Sequence, residues 1–130
     1  MTSAQVSLIL IADGGKKQDI SYGSYKVYDA EGNLLFHKQL VHGFGTSNSA
    51  EYLTLLSALT FILAEWKDTE ITLHIMMDSQ LVVNQVNMNW VCNKEHLRTF
   101  RDRILNLIPC FQSFTIRYTP REFIVSHLGH

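Results

Sequence analysis

Hydrophobic and polar positions along this 130-residue chain change period several times. Val6 to Ala12 is an unbroken apolar run of strand length that stops at Asp13. Such a run reads as a strand buried on both faces. Asp13-Gly14-Gly15 ends it, and Lys16 to Ile20 reads as a polar loop. Ser21 to Tyr28 alternates loosely and predicts a second strand. After the turn residues Asp29-Ala30-Glu31-Gly32-Asn33, Leu34 to Val41 predicts a third. Two short connections in succession favour an antiparallel meander. Gly43 to Ser47 then breaks the pattern, and a long helix is expected over Ser49 to Trp66. Leu53, Leu56, Leu59, Leu63 and Trp66 recur at helical spacing there. Leu55, Ala58 and Ile62 widen the stripe. Asn48 is the expected N-cap, with Glu51 at the third helical position of a capping box. Ile71 to Met77 predicts a fourth strand ending at Asp78. Ser79 to Asn87 and Lys94 to Ile108 predict two more helices, Phe111 to Thr119 a fifth strand, and the tail after Pro120 one short helix. The order β-β-β-α-β-α-α-β-α describes an α/β fold: one domain, residues 1–130, with a mixed sheet and helices against it.

Composition narrows what such a domain does. Hydrophobic residues make up 46% of the chain, enough for one core and too many for a disordered segment. Eleven Lys and Arg against twelve Asp and Glu leave a formal net charge of -1. A strongly basic nucleic-acid binder would carry a positive excess, so any polyanion must be held by a local patch or by bound metal. Cys92 and Cys110 are too few for a disulfide framework and lack zinc spacing, which favours a reduced, cytoplasmic setting. No run is long enough to span a bilayer, and a monomer free of membranes is expected.

Three acids stand out by position. Asp13 and Asp78 each follow an apolar strand, and Glu51 lies in the first turn of the longest helix. Strand ends and helix starts are where α/β proteins place their sites. If the first and fourth strands are parallel neighbours, Asp13 and Asp78 leave the same sheet edge. Clustered carboxylates call for a cation between them, and hard oxygen ligands suit Mg²⁺ or Mn²⁺. Each acid also has a bland account: Asp13-Gly14 as a turn, Glu51 as a capping-box member, Asp78 as a helix cap.

Three segments together resemble the ribonuclease H type 1 family, especially its compact bacterial and archaeal branch. They are Asp13-Gly14-Gly15, Thr46 to Tyr52 (TSNSAEY) and Asp78 to Val86 (DSQLVVNQV), in family order and spacing. The resemblance implies a five-stranded mixed sheet with its first three strands antiparallel and helices on both faces. It implies that Asp13, Glu51 and Asp78 are the catalytic acids and bind two divalent ions. It implies that Asn48 contacts the RNA strand and that Gln80 contacts the hybrid in its minor groove. The activity implied is metal-dependent endonucleolytic cleavage of the RNA strand of an RNA–DNA hybrid, leaving 5′-phosphate and 3′-hydroxyl ends. A catalytically weak or inactive binding module of the same fold, or a related nuclease acting on DNA, are the alternatives.

Three departures from the family pattern matter. Ser47 stands where a second asparagine is frequent. The tail Pro120 to His130 lacks the fourth acid; Glu122 comes too early, leaving His127 or His130 as the candidate substitute. Met88 to Lys94 keeps Trp90 but is short and barely basic beside the protrusion of some relatives, so weak hybrid binding is expected. Lys16, Lys17, Lys94, Arg98, Arg101 and Arg103 are the remaining candidates for phosphate contact. Tyr22, Tyr25 and Tyr28 read as sheet packing.

Overall fold

The computed structural model describes residues 4–128, with side chains through Ser126. Its elements are β1 (Ala4–Lys17), β2 (Ile20–Asp29), β3 (Leu34–Phe44), α1 (Ser47–Glu65), β4 (Thr69–Met77), α2 (Gln80–Val86), α3 (Glu95–Leu107), a 3₁₀ turn (Ile108–Cys110), β5 (Ser113–Tyr118) and α4 (Arg121–Leu128). They form one five-stranded sheet in the order β3-β2-β1-β4-β5. β1, β2 and β3 run antiparallel in sequence, while β4 is parallel to β1 and β5 to β4.

The sheet is covered unequally. Leu8, Leu10 and Ala12 of β1 alternate inward and pack with Tyr52, Leu55, Leu59 and Ile62 of α1, closing the main core together with α2 and α3. Within α1, Leu56 and Leu59 of the expected stripe are buried together with Leu55, Ala58 and Ile62, which widened it, whereas Leu53, Leu63 and Trp66 are only half-buried. Tyr25 lies fully buried beside Phe36 and Phe61, so it is packing. On the opposite face α4 sets Ile124 against Ile11, with Tyr28 and Met76 beside them. Helices therefore lie on both faces, but among the described residues the second face carries only one.

Three boundaries differ from the sequence reading. β1 does not stop at Asp13: it continues through Gly14 and Gly15 to Lys17, paired residue by residue with β2 as far as Ile20. A two-residue turn, with Gln18 at φ 57°, replaces the expected loop. β3 likewise runs on to Phe44 across an irregularity near His42. The N-cap of α1 is Thr46, not Asn48. Thr46 Oγ1 accepts from the Ser49 amide, and Ser49 Oγ accepts from the Thr46 amide, completing the capping box.

Candidate active site

That shift of the cap decides the status of Glu51. Counting from Ser47, Glu51 is the fifth helical residue, and Ser49 takes the third position that a capping box needs. Its carboxylate has no capping duty. The first turn of α1 lies on a saddle made by Gly14 and Gly23, which are directly paired across β1 and β2. A Cβ on Gly14 would come within 2.7 Å of the Ala50 carbonyl and the Glu51 amide. A Cβ on Gly23 would collide with the Thr54 side chain. The two glycines thus let the helix backbone descend onto the sheet where Glu51 enters it. Gly14→Ala should cost roughly 2 kcal/mol, as overpacking of a close backbone contact does, and should displace Glu51; urea melts compared with those of Gly15→Ala check this. The Gly15 site meets only the far end of the Tyr22 side chain, its hydroxyl 2.8 Å away.

Asp13 and Asp78 meet by register. β1 and β4 pair in parallel as far as Ile11 opposite Met76, so two residues further Asp78 falls level with Asp13. Adjacent strands lie about 4.8 Å apart. Asp13 is 2% exposed. Asp78 does not cap α2: Ser79 does, its hydroxyl accepting from the Val82 amide at 3.1 Å. A buried hydrogen bond from the Tyr52 hydroxyl to Gln85 Oε1 (2.6 Å) ties α1 to α2. It fixes α1, which carries Glu51, against α2, which begins two residues after Asp78.

The electrostatics follow from this crowding. Burial is the main reason that the Glu51 carboxyl is pushed up to about 7; the charges of Asp78 and Asp13 add to the rise, while the Ser79 hydroxyl and Arg121 oppose it. Glu51 Oε2 is buried and accepts no hydrogen bond. Asp78 Oδ2 instead accepts from Arg121 Nη1 at 3.0 Å. Arg121 is the residue that sequence reasoning missed. Asp78 first and Asp13 next raise the affinity of its guanidinium for its proton. The available signal was its place directly after Pro120, where α4 begins, because β5 delivers that helix beside the end of β4. Among the described residues no three acidic, His or Cys side chains stand as a ready cage for a metal ion. The donor chemistry nevertheless fits a divalent cation. Glu51 is acted on by the charges of both Asp13 and Asp78, and its buried Oε2 accepts no hydrogen bond.

The other site candidates divide. Asn48, at the second position of α1, lines a depression of about 220 Å³ between that helix and the α2–α3 connection, together with Gln85, Asn93 and Lys94. Gln80 opens α2 and is exposed. Arg98 is already engaged, donating to the carbonyls of Cys92 and Asn93, and Arg101 pairs with Asp102. Cys92 and Cys110 are free thiols. His127 belongs to the last turn of α4, but its side chain and the whole of His130 lie outside the described residues.

With this geometry in view, the likeness to known proteins is specific. The sequence pattern of the reverse transcriptase-like family matches residues 12–126. The chain belongs to that family, and its fold is that of the type 1 ribonucleases H. Ribonuclease H1 of Halobacterium salinarum NRC-1 superposes with a TM-score of 0.85 at 25% identity, covering 94% of this chain and 93% of its own. LC11-RNase H1, isolated from compost by a metagenomic approach and solved in complex with an RNA/DNA hybrid, gives a TM-score of 0.85 at 23% identity, over 93% of this chain and 92% of its own. The N-terminal ribonuclease H domain of a Mycobacterium tuberculosis protein gives 0.84 at 23% identity, over 95% and 90%. No curated protein sequence matches the chain. No described helix is long and apolar enough to cross a membrane.

Proposed function

We propose that this protein is a divalent-metal-dependent endonuclease that hydrolyses the RNA strand of RNA–DNA hybrids. The observation that carries the reading is Glu51: a half-buried side chain whose Oε2 is buried and unpartnered, flanked by the charges of Asp13 and Asp78, at the head of α1 in a ribonuclease H fold. Asp13, Glu51 and Asp78 would hold two Mg²⁺ or Mn²⁺ ions. When bound, the ions supply water activation and charge neutralisation for phosphodiester hydrolysis. The chain's own part is positional. The Gly14–Gly23 saddle sets Glu51 against the sheet, and the β1–β4 register sets Asp78 beside Asp13. Asn48 and Gln80, at the starts of α1 and α2, present amide groups at this end of the sheet, suited to reading a 2′-hydroxyl. Products would carry 5′-phosphate and 3′-hydroxyl ends. His127 or His130 would stand in for the absent fourth acid.

A second reading, a nucleic-acid-binding module without turnover, is favoured by one feature. Asp78 already has a cationic partner in Arg121. The test is cleavage of a uniformly labelled hybrid against matched duplex DNA and duplex RNA, with Mg²⁺ and with Mn²⁺. Metal-dependent loss of the hybrid's RNA strand alone is expected. Binding without cleavage under both metals would select the second reading.

A further inference from the structure

Strand pairing places a set of exposed apolar side chains on the same sheet face as Asp13. Residues paired across a sheet share a face, and the face recurs every second residue. Asp13 pairs with Ser24 and Ser24 with Gln39; Gly15 pairs with Tyr22 and Tyr22 with Val41; Lys17 pairs with Ile20 and Ile20 with Phe44. These three rows lead from Asp13 to the β1–β2 turn. In them Ile20 is 41% exposed, Val41 77% and Phe44 84%. Among the described residues, Phe44 is the most exposed of the large hydrophobic side chains. The face next to it is hollow, with a groove of about 340 Å³ lined by Tyr22, Ser24, Gln39 and Val41. Cover fades along the rows: Asp13 and Ser24 are buried, Gly15 and Tyr22 half-buried, and Lys17, Ile20, Val41 and Phe44 exposed, the buried contact of α4 lying further back, at Ile11.

The outward position of Phe44 is built into the backbone. The register shifts by one residue at His42, a bulge of the kind that re-aims side chains. It sends His42 inward to Thr54 Oγ1 at 2.8 Å. Gly43 follows at φ 84°, its carbonyl accepting from the Ser21 hydroxyl at 2.9 Å. Gly45 is packed so closely that a Cβ there would lie 2.9 Å from Ser49 Oγ. Phe44 is therefore braced on both sides, two residues before the Thr46 cap and four before Asn48.

We propose that Phe44, with Ile20 and Val41, is a nucleic-acid platform that takes the sugar faces of a bound strand as it leaves the candidate active site. This rests on the nuclease reading and extends it to the means of holding substrate. Continuity with the site is the first argument. Tyr22, in the middle row, sets its ring end over Gly15, two residues along β1 from Asp13. Charge is the second argument. The exposed Lys17 stands in the row of Ile20 and Phe44, with the exposed Lys16 beside it on the other face of the same strand end, and the two match a phosphate backbone. The third is the shortage of cations elsewhere. With a net charge of -1 and with Arg98 and Arg101 engaged, electrostatics alone gives weak binding. An apolar contact adds affinity that salt does not screen. Exposed apolar patches of this kind mark interaction surfaces.

The experiment compares Phe44→Ala, Phe44→Tyr and the double variant Lys16→Ala/Lys17→Ala with the parent. It measures Kd for hybrid, single-stranded DNA and single-stranded RNA in EDTA at several salt concentrations, and KM and kcat for the hybrid with metal. Phe44→Ala should raise Kd and KM about fivefold, the effect of losing part of a buried phenyl ring. It should leave kcat and the salt slope unchanged, and Phe44→Tyr should restore binding. The lysine variant should instead flatten the salt slope. The single-strand arms show which strand the platform holds. A parent that binds hybrid while Phe44→Ala binds it equally well overturns the platform and leaves the nuclease reading standing. A parent that neither binds nor cleaves any nucleic acid removes both. A parent dimer that Phe44→Ala turns into monomer, by sedimentation, would assign the patch to self-association and also overturn the proposal.

Discussion

Asp78→Asn is expected to abolish hybrid cleavage while leaving the metal-free protein as stable as the parent, or more stable. The activity loss follows from removing one of three charges that would hold the ions. Metal-derived stabilisation of a phosphoryl transition state amounts to several kcal/mol, so kcat should fall by at least about a hundredfold. The stability outcome follows from what Asp78 does in the fold. It does not cap α2, because Ser79 does. Its one ion pair, with Arg121, joins it to a side chain that is 61% exposed, and such pairs contribute only ~0–1 kcal/mol. Against that stands repulsion: the Asp78 charge helps raise the proton affinity of Glu51. Thermal melts in EDTA beside single-turnover cleavage read both outcomes. A loss of more than about 2 kcal/mol would mean that Asp78 is chiefly structural.

How far the sequence disclosed this site depends on which interaction fixed each residue. Apolar runs placed β1 and β4, and their parallel pairing put Asp13 level with Asp78, as the strand-end argument required. The three segments of family resemblance pointed to Glu51, whereas the local reading of it as a capping-box member was wrong. Thr46 and Asn48 both make good caps, and only the packed structure shows that Thr46-Ser49 forms the box and Glu51 is left out of it. Turn propensity misjudged Asp13-Gly14-Gly15. Those glycines stay in a paired strand because Gly14 must admit the α1 backbone at close range, a tertiary demand that overrides local preference. Arg121 was invisible for a similar reason. Its partner is 43 residues away, and periodicity carries no information about such a pair.

Arg121 also gives the metal-free site a defined state. With its guanidinium on Asp78 and its charge acting on Asp13, part of the carboxylate repulsion is already offset before any cation binds. Glu51 gains less, since burial is the first cause of its shift and Arg121 the smallest of those acting on it. The chain therefore folds with one carboxylate paired and another whose surroundings hold its proton up to about pH 7.

That second condition makes metal-free stability depend on pH in a definite direction. The Glu51 carboxyl is raised to about 7 from an ordinary value of 4.5, chiefly by burial. Between those values the folded state keeps a proton that the unfolded state has released. Stability rises with pH only where the unfolded state binds more protons. Here it binds fewer, so Glu51's contribution is fully present below about pH 4.5 and is lost as pH rises to about 7. At about 1.4 kcal/mol per pH unit the loss is at most on the order of 3 kcal/mol. A divalent cation reverses the sign, because it binds the ionised site and stabilises the folded state by mass action. Urea unfolding in EDTA should therefore show falling stability from pH 4.5 to 7, and Mg²⁺ or Mn²⁺ at pH 7 should restore it. Glu51→Gln, which keeps the shape and removes the titration, should flatten the EDTA profile over this window and weaken the metal effect. If Glu51→Gln keeps the parent's pH slope and its full stabilisation by metal, Glu51 is neither the titrating group nor a ligand, and the carboxylate site must be built without it.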